Sequence, residues 1–81
     1  MAKKWKYIVD DNIINVSNSI NGSELYINGK LQDKKNGLTL QDNLAGKLPN
    51  GFDVKASLGG IFTMQCTLFV NNVLQEPVEE S

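Results

Sequence analysis

The 81-residue chain has no histidine, no arginine, one cysteine (Cys66) and two prolines. Each scarcity closes a class of chemistry. With no imidazole and one thiol, the usual zinc, copper and iron ligand sets cannot be assembled. A Ser–His or Cys–His nucleophile is equally out of reach. A single cysteine forms no intramolecular disulfide. All eight cations are lysines, set against nine acids for a net charge of -1 and a pI near 5.2. Such a chain offers nucleic acid no basic field, and phosphate no bidentate guanidinium. The apolar runs are far too short to span a bilayer, and no cleavable leader pattern follows Met1-Ala2-Lys3-Lys4. The expectation is a cytoplasmic protein with no membrane span, no metal and no cofactor.

What the chain does have is a short pattern used twice. Leu25-Tyr26-Ile27-Asn28-Gly29-Lys30-Leu31-Gln32-Asp33 and Leu68-Phe69-Val70-Asn71-Asn72-Val73-Leu74-Gln75-Glu76 share four of nine residues. Each is an extended run, a two-residue Asn-Gly or Asn-Asn corner, and a returning run. That is hairpin chemistry, because a type I′ turn needs positive φ at both corner residues. Tyr26 and Phe69 occupy equivalent slots.

The rest of the sequence follows the same grammar. Trp5-Lys6-Tyr7-Ile8-Val9 alternates, with Trp5, Tyr7 and Val9 on one face. Asp10-Asp11-Asn12 is turn chemistry, and Ile13 to Ser17 reads as a second strand. Asn18 to Gly22 is polar and connects. Glu24 to Ile27 and Lys30 to Asp33 are the arms of the first repeat. Lys34 to Gly37 reads as a charged turn, and Leu38 to Gln41 as a strand. Leu40, Leu44 and Leu48 fit helical spacing with Asp42 as a cap, but Gly46 and Pro49 favour a strand over Leu44 to Leu48. Phe52 to Leu58 alternates. Ile61 to Val70 reads as the longest strand, with Phe62, Met64, Cys66, Leu68 and Val70 inward and Phe69 outward. Val73 to Gln75 closes the second repeat.

With four Asn-Gly dipeptides and turn signals every 7–12 residues or so, the expected fold is all-β. It is a small antiparallel β-sandwich, or a partly open barrel, of about eight short strands linked by hairpins. Residues 1–76 form a single domain and 77–81 a disordered acidic tail, since Pro77 cannot donate to a ladder. A chain this short buries only about 60–65% of its unfolded surface, so each large apolar side chain counts.

Few residues offer reactive chemistry. Cys66, inward between Met64 and Leu68, reads as a small hydrophobe. Asp10-Asp11-Asn12 lacks the spacing of a calcium loop, and Asp33, Asp42 and Asp53 read as solvated charge. Leu58-Gly59-Gly60-Ile61 carries no phosphate-loop pattern. Lys3, Lys4 and Lys6 beside Trp5 read as solubilising charge. The aromatic residues Trp5, Tyr26 and Phe69 remain as a candidate interaction surface.

The stretch Gly60-Ile61-Phe62-Thr63-Met64-Gln65-Cys66-Thr67-Leu68-Phe69-Val70-Asn71-Asn72 resembles the closing long strand and Asn-Gly hairpin of Fas apoptosis inhibitory molecule domains. Leu25-Tyr26-Ile27-Asn28-Gly29-Lys30 looks like their strand ending in an Asp-Gly-Lys turn, and Leu44-Ala45-Gly46-Lys47 is similar to a Val-Gly-Lys stretch in them. The likeness spans most of residues 24–74. It implies an all-β, sandwich-like, non-enzymatic domain that works through protein contacts. The chain lacks the family's His-containing, Gly-rich segment near the start, so neither the apoptosis-related role nor any functional residue carries over.

The functional expectation is a non-catalytic interaction module. Its contacts run through an edge strand or the outward aromatics, to a protein partner or a second copy. The alternative is a small-ligand domain holding a carbohydrate or lipid-like molecule between its sheets.

Overall fold

The computed structural model describes residues 2–37, 40–60 and 62–81. The described residues form nine strands and no helix: β1 Lys3–Val9, β2 Asn12–Ser19, β3 Gly22–Ile27, β4 Lys30–Asn36, β5 Gln41–Lys47, β6 Asp53–Gly59, β7 Gln65–Val70, β8 Val73–Gln75 and β9 Glu79–Glu80. Two antiparallel sheets result, ordered β4-β3-β2-β1-β9 and β5-β6-β7-β8. They pack face to face as an open sandwich rather than a closed barrel.

Period-two alternation explains the layering. Trp5, Tyr7, Ile14, Val16, Leu25 and Ile27 project from the first sheet into the same core as Leu44, Val54, Ala56, Leu58, Leu68 and Val70 from the second. Fully burying such side chains is worth roughly 1.5–3 kcal/mol each, which is how two thin sheets hold together. The two-residue corners are as the turn chemistry requires. Asp10-Asp11, Asn28-Gly29 and Asn71-Asn72 all have positive φ at both positions, linking Val9 to Asn12, Ile27 to Lys30 and Val70 to Val73. Of the four Asn-Gly dipeptides, only Asn28-Gly29 is such a corner. Asn21-Gly22 enters β3, Asn36 ends β4 with Gly37 after it, and Asn50-Gly51 precedes β6.

Several expectations are corrected. Residues 77–81 are not a disordered tail. Val78 N donates to Lys6 O at 2.7 Å, and Lys4 and Ser81 exchange two backbone hydrogen bonds of 2.9 Å. The edge of β1 needs a partner for its peptide groups, and the segment after Pro77 supplies one, with Glu79 opposite Lys6. Lys34 to Asn36 is strand rather than turn, because β4 continues alongside β3. The strand expected over Leu44 to Leu48 is present, but it starts earlier and ends one residue sooner, as β5 over Gln41–Lys47. The strand expected from Leu38 begins on residues outside those described, as does the long strand expected from Ile61.

That long strand starts only at Gln65. Phe62, expected inward, is 97% exposed. The cause lies at Gly60: a Cβ there would overlap the Thr63 carbonyl oxygen. The backbones of Gly60 and Thr63 come close together, and Phe62 stands outside the strand register. Phe52, the first residue of the expected β6 alternation, also lies largely outside the core.

Candidate functional site

The three candidate aromatics do not form one surface. Trp5 is 4% exposed and belongs to the core, which removes it as a contact residue. Its face was legible, since it shares it with Tyr7. That this face meets the opposite sheet was not. Tyr26 and Phe69 do occupy equivalent positions, opposite Leu31 and Leu74 in their hairpins. They lie on different sheets, however, so they look out from opposite sides of the sandwich. Tyr26 is half-buried, in a face also carrying Lys6, Glu24 and Lys34, the last two 3.8 Å apart as an ion pair. Phe69, at 38% exposure, stands on the outer face of the second sheet beside Leu74.

The two repeat hairpins also differ at their open ends. In the first, the register slips between Leu25 and Tyr26, so Gln32 is an extra residue in β4. Such a bulge bends its strand. It brings Asp33 toward the other sheet, where its carboxylate accepts Ala45 N at 2.9 Å. The second hairpin runs in plain register. β4 is thereby fastened to β5, whereas β8 is left as the margin of its sheet.

Between the sheets lies a polar link that the sequence reading missed. Asp42, taken as solvated charge, is 7% exposed. Ser23 Oγ donates to its carboxylate at 2.6 Å, and Asn18 Nδ2 donates to Ser23 Oγ at 2.9 Å. Asp33 is half-buried rather than free. Asp53 is exposed, 3.1 Å from Lys47.

The interior itself is filled by side chains. The Tyr7 hydroxyl is wholly enclosed without a well-formed hydrogen bond; the polar group it faces is the Cys66 thiol. Desolvation, reinforced by that thiol, pushes the hydroxyl far above the ordinary phenol range. Desolvation likewise raises Cys66, against a smaller opposite effect of the Tyr7 hydroxyl. A thiol held in its protonated form is a poor nucleophile and a poor metal ligand.

Among the described residues, no three acidic or cysteine side chains converge on a point that could hold a metal ion. The Asp10-Asp11-Asn12 cluster is a turn, its Asn12 amide tied to the Val9 and Asp10 carbonyls.

The chain matches no family model, no curated protein and no solved structure. No helix among the described residues is long and apolar enough to cross a membrane. Among the exposed apolar side chains of the second sheet are Phe69, Val73 and Leu74.

Proposed function

We propose that the protein is a non-catalytic interaction module that receives an extended segment of a protein partner, a second copy of the chain included, along β8. The supporting observation is the contrast between this edge and the others. Exposed edges invite pairing with foreign strands, and charge, bulges and brevity guard them. β4 carries Lys30, Lys34 and Lys35 and a bulge. β5 has its Ala45 amide taken by Asp33. β9 is two glutamates long. β8 is Val73-Leu74-Gln75, without a charge, and Val73 and Leu74 are both more than half exposed. A two-residue turn pairs Val73 with Val70, so the Leu74 N–H and C=O point away from β7. Phe69 and Leu74 flank that edge on the outer face, and an added strand would bury them.

Three residues give a short dock, so a transient partner fits better than an obligate one. The resemblance noted for residues 24–74 is of the same kind, since it too implies protein contacts.

The test is Phe69→Asp and Leu74→Lys, followed by sedimentation velocity and by capture of partners from the native host. Both variants should lose capture or self-association while keeping their far-UV spectrum. Unchanged association in both variants rejects β8 as the dock.

A further inference from the structure

Gly59 is a glycine that the backbone does not require. It ends β6, and its φ is not in the left-handed region. A Cβ added there would meet Leu40 O at 3.5 Å and Gln41 Cγ at 3.6 Å, both ordinary contacts. Glycine in a strand lowers stability relative to a residue with a side chain, and it often marks a place where a ligand comes close to the backbone. Gly60, by contrast, is demanded by the Thr63 carbonyl beside it.

The missing side chain opens a depression. In register, Gly59 sits between Gln41 and Gln65, and Ser57 sits between Asn43 and Thr67, all on the outer face of the second sheet. Over Gly59 is an open hollow of about 550 Å³, walled by Gln41, Ser57, Gln65 and Thr67, with the exposed Phe62 ring at its rim. Ser57 Oγ donates to Asn43 Oδ1 at 2.8 Å, which orders that row. Among the described residues, no charged side chain lines the hollow, although the opposite face of the sandwich is rich in lysine and glutamate.

We propose that this hollow binds a neutral oligosaccharide. Amides and hydroxyls each present donors and acceptors, as the adjacent hydroxyls of a sugar do. The apolar face of a pyranose ring suits a phenyl ring such as Phe62. The absence of charge disfavours an anion, which would find no cation to pair with. A peptide strand is disfavoured as well, because β6 is paired along both edges and offers it no free backbone. The hollow lies apart from β8, so this proposal does not rest on the strand-edge reading. An open, solvated site implies weak affinity, with a Kd on the order of 1 mM.

The experiment is an NMR titration of the isotope-labelled protein with α- and β-linked glucose hexasaccharides and with an N-acetylglucosamine hexasaccharide; an oligogalacturonate serves as the charged control. At least one neutral sugar should shift the signals of Gly59, Gln65 and Thr67. Phe62→Ala should weaken that response about tenfold. Gly59→Val should abolish it while the melting temperature holds or rises, since a β-branched residue suits the strand. Leu74→Lys should leave it unchanged. No response to any neutral sugar, response to the charged sugar alone, or survival of binding in Gly59→Val overturns the proposal. So does a clear fall in the melting temperature of Gly59→Val, which would make the glycine a structural requirement.

Discussion

Ser23 donates its hydroxyl hydrogen to the Asp42 carboxylate across the sandwich at 2.6 Å, with both side chains buried. The bond joins β3 of one sheet to β5 of the other, on the side where Asp33 also accepts the Ala45 amide. One margin of the sandwich is therefore held by these two links, the Ser23–Asp42 bond being buried, whereas at the other margin Lys3 Nζ donates to Met64 O at 3.3 Å on the exposed surface.

Asp42→Ala should cost about 1–3 kcal/mol, because Ser23 loses its buried acceptor. Asp42→Asn keeps an acceptor oxygen and should cost less. Urea denaturation at neutral pH measures both. If the alanine variant is as stable as the parent, the link does not hold the sheets.

Tyr7→Phe should leave stability unchanged or raise it by up to about 1 kcal/mol. The variant keeps the ring and removes a hydroxyl that is enclosed without a well-formed hydrogen bond. A loss beyond about 1 kcal/mol in the same assay would show that the Tyr7 hydroxyl is firmly bonded to Cys66.

Stability should decline in alkali for a reason located in the core. Burial raises Cys66 above its ordinary 9.0 and Tyr7 above its ordinary 10.0. The folded chain thus holds both protons more tightly than the unfolded chain does. That contribution is complete below the unfolded-state values and shrinks as the pH passes them. Thermal melts from neutral pH upward should be flat in this contribution to about pH 9 and then fall. Cys66→Ala should remove the first part of the decline and Tyr7→Phe the later part. An identical alkaline slope in all three proteins would place its origin elsewhere.

The Asn71-Asn72 corner should accept glycine. Asn72 has a φ of 64°, and the equivalent residue of the first hairpin is Gly29 at 81°. Asn72→Gly should stabilise by a few tenths of a kcal/mol, on the order of the left-handed preference of glycine over asparagine. Asn72→Val should destabilise by about 1–2 kcal/mol. Chemical denaturation distinguishes the two signs.

Alternation and turn residues carry most of the strand pattern, because both act over two to four residues. They place Tyr7 with Trp5, Phe69 opposite to Leu68, a turn at Asp10-Asp11-Asn12, and the corners at Asn28-Gly29 and Asn71-Asn72. The same rule, pushed two residues back from Leu25 and Leu44, puts Ser23 and Asp42 on the inner face. Charge argued against that placement, and charge was misleading because a hydroxyl from the other sheet was waiting for the carboxylate.

Other features depend on segments far apart in sequence. That Trp5 is covered, that β9 returns to pair with β1, and that Tyr26 and Phe69 face opposite ways all follow from how the two sheets meet. No local pattern encodes that meeting. Phe62 shows the boundary most sharply: its alternation with Met64 and Cys66 is plain, yet a backbone contact at Gly60 turns it into solvent. Local sterics and periodicity wrote the strands and corners into the residues. Burial, and with it the choice of edge and of open face, came from the packing of one sheet on the other.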